Sequence, residues 1–116
     1  MRTIKIKRVY ERPEDGDGVR ILVDRMWPRG LTKKKANIDY WMKEIAPSEG
    51  LRKWFSHRDS RWVDFRRRYK TELKSKKGLI GELRGIANKS SVILLFAAKN
   101  QGKNNAVVLK EYLEVK

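Results

Sequence analysis

The 116-residue chain carries 29 Lys and Arg against 14 Asp and Glu, a formal charge of +15, with one His and no Cys. That length supports a single domain, residues 1–116, with a core of its own. The missing thiol excludes disulfides, Cys-ligated zinc, Fe–S clusters and thiolate nucleophiles.

A fold does not require so large an imbalance, and the compact state is weakened by its self-repulsion. A heavily charged surface can serve solubility or a hot habitat, but that enrichment raises both signs together; here the acids lag, which favours an anionic partner: nucleic acid, a phosphate-containing small molecule or an acidic surface. Residues 1–10 alternate charge with Ile and do not form the apolar run of a signal peptide. The longest apolar stretch, Val92 to Ala98, is far short of the ~20 residues of a bilayer span. These features predict a soluble, cytoplasmic protein with no membrane partner.

Ile4 and Ile6 alternate with Lys5 and Lys7, the period of a strand with one wet face. Arg12 to Gly18, RPEDGDG, is a loop by its turn residues, and Val19 to Asp24, VRILVD, reads as a largely buried strand. The loop between them is too short for a parallel crossover, so as neighbours these strands would pair antiparallel. In RMWPRG, Pro28 holds Trp27 extended and Gly30 permits a sharp turn. Thr32 can cap a short helix KKKA, although three Lys in a first turn oppose the helix dipole unless an anion answers them.

Tyr40 to Ile45 and Leu51 to Phe55 carry apolar residues at helical spacing and predict two short helices, broken by Pro47 and Gly50. Asp59 or Ser60 then caps a longer helix to Lys74, with Trp62, Phe65, Tyr69 and Leu73 as its core stripe. Leu79 to Ala87 continues as an amphipathic helix with Leu79, Leu83 and Ile86 inward. Ser91 to Ala98 is apolar throughout, as a central strand covered on both faces should be. A last helix, Asn104 to Leu113, turns Val108, Leu109, Tyr112 and Leu113 inward. The sum is an α/β domain: a small mixed, mainly parallel sheet of three to four strands covered by helices.

In open α/β sheets ligands settle beyond the carboxyl ends of the strands. Two loops qualify, and they meet at one crevice if their strands are adjacent and parallel. Asp24 to Gly30 combines a carboxylate, two guanidinium groups and an indole: Asp24, Arg25, Trp27 and Arg29. Asp24 can equally pair with Arg25 or Arg29 for purely structural reasons, and Trp27 before Pro28 can be a packing wedge. Lys99 to Asn105, KNQGKNN, feeds a helix N-terminus, where free N–H groups attract anions. Asn104 or Asn105 can equally be an ordinary N-cap there.

Arg52 to Lys77 holds eleven basic and three acidic residues. Such a run usually forms a solvated helix face, and it can also lie along a phosphate backbone. His57 is the single imidazole, so Ser-His-Asp and paired-His metal schemes lack a partner. With no metal-ligand cluster, P-loop, GxGxxG or nucleophile elbow in the sequence, neither metal nor cofactor is expected.

Taken together, RVYERPEDGDGVRILVDRMWPRGL, WMKEIAPSEGLRKWFSH, WVDFRRRYKTEL and LLFAAKNQGKNNAVVLKEYL resemble the YeaO-like family, small proteins classed as a domain of unknown function. The resemblance spans nearly the whole chain and implies an α/β domain with no established activity. Family members often carry His where this chain has Lys103, and distant ones a Cys-His pair near Asn104 and Asn105. This chain has neither. The matching positions Asp24, Arg25, Trp27, Pro28, Arg29, His57, Lys99, Asn104 and Asn105 are the candidate site.

Three readings follow. The leading one is an anion- or nucleic-acid-binding domain, with Arg25, Arg29, Lys99 and Lys103 on phosphate. A second is an enzyme on a small anionic metabolite, with Asp24 as acid or base and His57 or Lys103 assisting. This reading requires Asp24, Arg29 and Asn104 to converge on one pocket. A third is a module docking an acidic protein on a flat basic face from Arg61 to Lys74.

Overall fold

A computed structural model describes residues 3–115. Four strands, β1 (Ile4–Arg8), β2 (Val19–Leu22), β3 (Tyr40–Trp41) and β4 (Val92–Phe96), form one sheet in the order β1-β4-β2-β3. Every pairing is parallel, which realises the expected α/β architecture. β1 and β2 escape the antiparallel arrangement because β4 lies between them, with Val92 opposite both Ile4 and Val19. The chain crosses the end of β4 through a single 3-10 turn, Asp15–Asp17, and re-enters the sheet at Gly18. Gly18 sits at φ 76°, and a Cβ there would lie 2.3 Å from the Ser91 carbonyl oxygen, so the crossing needs glycine.

The two faces of the sheet are covered unequally. Helices α2 (Glu49–Phe55), α3 (Trp62–Lys74), α4 (Lys77–Lys89) and α5 (Asn105–Glu114) bury the main core against Ile4, Ile21, Val23, Val92, Leu94 and Phe96. On the other face, α1 (Lys33–Ala36) and the partly buried Trp27, Leu31 and Ile38 cover Leu22, Ile93 and Leu95. Thr32 caps α1 as its position predicts, accepting from the Lys35 N–H.

Within α3 the expected stripe is buried at Phe65, Tyr69 and Leu73, with Trp62 partly covered. The face of α4 is turned by about one residue from the sequence reading: Ile80, Leu83 and Ala87 are fully buried and Leu79 and Ile86 partly so. Residues 40–45 differ more. Tyr40 and Trp41 form β3, and only Lys43–Ile45 makes a 3-10 turn. Six residues before a proline cannot sustain a helix alone, whereas the edge of β2 offers immediate partners: Asp39 N–H donates to the Arg20 carbonyl at 2.8 Å and Met42 N–H to Leu22 at 2.9 Å.

Candidate functional site

β2 and β4 run side by side and point the same way, so the loops that leave them converge. The floor of the resulting cleft is Asp24. Its Oδ2 accepts from the Ala97 N–H at 2.9 Å, just beyond β4, and its Oδ1 from Asn105 Nδ2 at 3.0 Å, in the first turn of α5. The same Asn105 nitrogen also donates to the Val23 carbonyl at 3.0 Å. Burial pushes the Asp24 carboxyl above its ordinary range, while the Asn105 and Ala97 hydrogen bonds and the nearby His57 pull the other way. The arginine partners that the sequence allowed for Asp24 are not taken. Arg25 reaches Glu44 instead, at 3.7 Å, and turns toward the Ala46 and Pro47 carbonyls.

The cleft has a volume of about 540 Å³, within the usual range for small-molecule sites. Its walls are largely apolar, including Trp27, Pro28, Pro47, Phe55 and Phe65, and Arg25, Arg29, Arg52, Lys53 and His57 line it as well. Trp27 is fixed by its indole N–H, which donates to Leu31 at 2.7 Å, and by edge-on packing against Trp41. Arg29 is held by its backbone: its carbonyl accepts from the Tyr10 hydroxyl at 2.9 Å, leaving the guanidinium exposed. Ser56 and His57 occupy left-handed backbone at φ 45° and 57°. Ser56 is the C-cap that ends α2, its N–H donating to the Arg52 carbonyl at 3.0 Å, and His57 continues the bend that brings the end of α2 to the cleft.

Of the sequence candidates, Asp24, Arg25, Trp27, Pro28, Arg29, His57, Asn104 and Asn105 all line this cleft. Lys99 and Lys103 do not. Lys103 lies 3.6 Å from Asp59. The loop between them closes on itself: Asn100 Oδ1 accepts from the N–H groups of Gly102 and Lys103, both at 2.9 Å, and Asn104 Oδ1 caps α5 by accepting from Val107 at 3.1 Å. The cap therefore takes donors that an anion cradle would have used. Arg52 and Lys53 join the site without having been singled out for it. Their positions on α2, one turn before the Ser56–His57 bend, were the available signal, masked by the longer basic run. Among the described residues, no three His, Cys, Asp or Glu side chains gather as a metal site, and no helix is long and apolar enough to cross a membrane.

Fold and site together define a small parallel α/β protein with a cation-rimmed cleft where its two central strands end. The family described as "Inactive DUF488-N3 subclade" matches residues 3–116, and the chain belongs to that family. It is 44% identical to the Uncharacterized protein YeaO of Escherichia coli K12, over 95% of this chain and 96% of that protein. Against the Uncharacterized protein Rv3073c of Mycobacterium tuberculosis the identity is 37%, over 95% of this chain and 92% of that protein. These relatives bear out the YeaO-like resemblance. No solved structure gives a significant match.

Proposed function

We propose that this protein binds a small anionic ligand with an apolar body in the cleft floored by Asp24. The observation that carries this reading is the convergence of Arg25, Arg29, Arg52 and Lys53 on one largely apolar recess at the carboxyl ends of β2 and β4. In such a recess the guanidinium and ammonium groups take the anionic end and the ring-lined walls take the rest. Asp24 then selects for a hydrogen-bond donor on the buried end. Each of its oxygens already accepts one bond and retains a second lone pair.

Titration with a nucleoside monophosphate, followed residue by residue by amide NMR, tests the assignment. Binding in the cleft shifts Ala97, Asn105 and the Arg25–Arg29 loop. Shifts confined to Lys33–Lys35 or to α3 would overturn it.

The enzyme reading keeps one observation in its favour, since Asp24, Arg29 and Asn104 do line one cleft. Binding without turnover is supported better. Asp24 is committed to hydrogen bonds that join β2, β4 and α5, and the family's own description is inactive.

A further inference from the structure

We infer that the ligand is single-stranded nucleic acid, with one nucleotide seated in the cleft and its neighbouring phosphates carried over α2 toward Arg67 and Arg68 of α3. This rests on the cleft reading above and deepens it. Helix α2 is a shared wall: Arg52 and Lys53 face the cleft, while Gly50, Leu51 and Trp54 line a second, shallower groove of about 410 Å³ whose far side is Arg67, Arg68 and Thr71. The two recesses and the ridge between them make one basic track. Three acids border it, and two of them pair with exposed cations of the track that a phosphate would compete for, Asp64 lying 3.4 Å from Arg67. Glu49 lies 3.2 Å from Lys53, and Glu72 accepts from the Ser48 N–H and hydroxyl at 2.8 and 2.6 Å. On the ridge the Trp54 ring carries the guanidinium groups of Arg61 and Arg68 at 5.0 and 4.3 Å from its centroid, which holds both cations ready at little entropic cost.

The chemistry of the floor decides among polyanions. An acidic peptide that inserted a side chain into the cleft would bring its carboxylate against Asp24. A nucleobase brings amino and imino donors, which Asp24 can accept, and a flat face for Trp27 and the proline-lined walls. A base can enter only if it is unpaired, so the track selects single strands over duplex.

The test uses fluorescence anisotropy with labelled single strands of about ten nucleotides, within the site sizes usual for such binders, alongside nucleoside monophosphates and the matching duplex. Single strands are expected to bind at least tenfold more tightly than duplex at low salt. Arg67→Gln with Arg68→Gln is expected to reduce the salt slope by about 1.4, from ~0.7 per lost phosphate contact. The double variant is also expected to weaken the oligonucleotide about tenfold and leave the monophosphate unchanged. Arg67→Gln alone, which leaves Trp54 covered, gives half that slope change and guards against a folding artefact. Arg29→Ala weakens both ligands. Duplex bound as well as single strand, displacement by polyglutamate at equal charge, or indifference to both α3 variants overturns the nucleic-acid assignment; monophosphate binding then keeps the cleft reading alone. Failure of both monophosphate and oligonucleotide to bind removes the two together.

Discussion

Asn105 places one amide nitrogen 3.0 Å from each of two acceptors just beyond β2, the Val23 carbonyl and the Asp24 carboxylate. Asp24 in turn holds the Ala97 N–H at 2.9 Å. Two side chains thus lock the exits of β2 and β4 to the first turn of α5, and the cleft has a floor that does not depend on ligand.

Asn105→Ala leaves the Val23 carbonyl and one carboxylate oxygen without their donor. Truncation of such a bond costs about 1–2 kcal/mol, expected as a lower urea midpoint with unchanged slope. Asp24→Asn is predicted to cost a similar amount. Its amide can serve Ala97 through its oxygen only by turning its own NH₂ toward Asn105, donor against donor.

Two acids shape the pH profile in opposite senses. At Asp17 burial pushes the carboxyl up, but hydrogen bonds from the Glu14 N–H, Lys7 and Arg20 prevail and hold it below its ordinary 3.8. Its contribution is present above 3.8 and is lost as pH falls through the depressed value. Asp24 is raised above 3.8, so its contribution is present below 3.8 and is lost as pH rises through the folded value. Asn at position 24 does not titrate, so its donor clash with Asn105 is a constant offset and the variant is a pH-independent reference. The stability of wild type relative to Asp24→Asn is therefore expected to fall from about pH 4 upward and then level off, read from paired urea melts. A difference that grows with pH would overturn this account.

The local signals were legible where one element decides the outcome. Thr32 and Asn104 cap because their side chains reach their own helices, and Phe65, Tyr69 and Leu73 are buried because their spacing leaves no other face. Features that depend on a distant segment were not. Tyr40 and Trp41 follow a helical pattern until the open edge of β2 claims their backbone. Asp24 had two arginines close by in sequence, yet its partners lie 73 and 81 residues away. Arg52 and Lys53 looked like any exposed basic pair until the turn after α2 brought them to the cleft.

The Lys7–Asp17–Arg20 cluster was missed although Asp17 and Arg20 lie three residues apart, because RPEDGDG reads as an exposed loop. Arg20 is 3% exposed on the thinly covered face of the sheet, paired with Asp17 and donating to the Ala36 and Asn37 carbonyls at 2.9 and 2.8 Å. Lys7 lies 3.2 Å from the same Asp17 carboxylate. Asp17→Ala strands that buried guanidinium, and breaking one side of such a pair costs about 3–5 kcal/mol. Calorimetry is expected to show a large fall in Tm. A fall no larger than that of the exposed-pair variant Glu49→Ala would mean that water reaches Arg20.

Arg29 and Lys103 separate the cleft from the loop that the sequence first offered as an anion cradle. Arg29 lines the cleft with its guanidinium exposed, whereas Lys103 lies 3.6 Å from an exposed Asp59 and outside the lining. Removing a charge-assisted contact to phosphate costs about 1.5–3 kcal/mol, so Arg29→Ala is expected to weaken a nucleoside monophosphate at least tenfold by calorimetric titration. Lys103→Gln removes only a surface ion pair, a change of about 1 kcal/mol or less in stability, and is expected to alter the affinity by less than about twofold, the residual being long-range field. The opposite ranking would move the anion from the strand ends to the α5 loop, and Asn100 and Asn104 would then have to release the N–H groups they now hold.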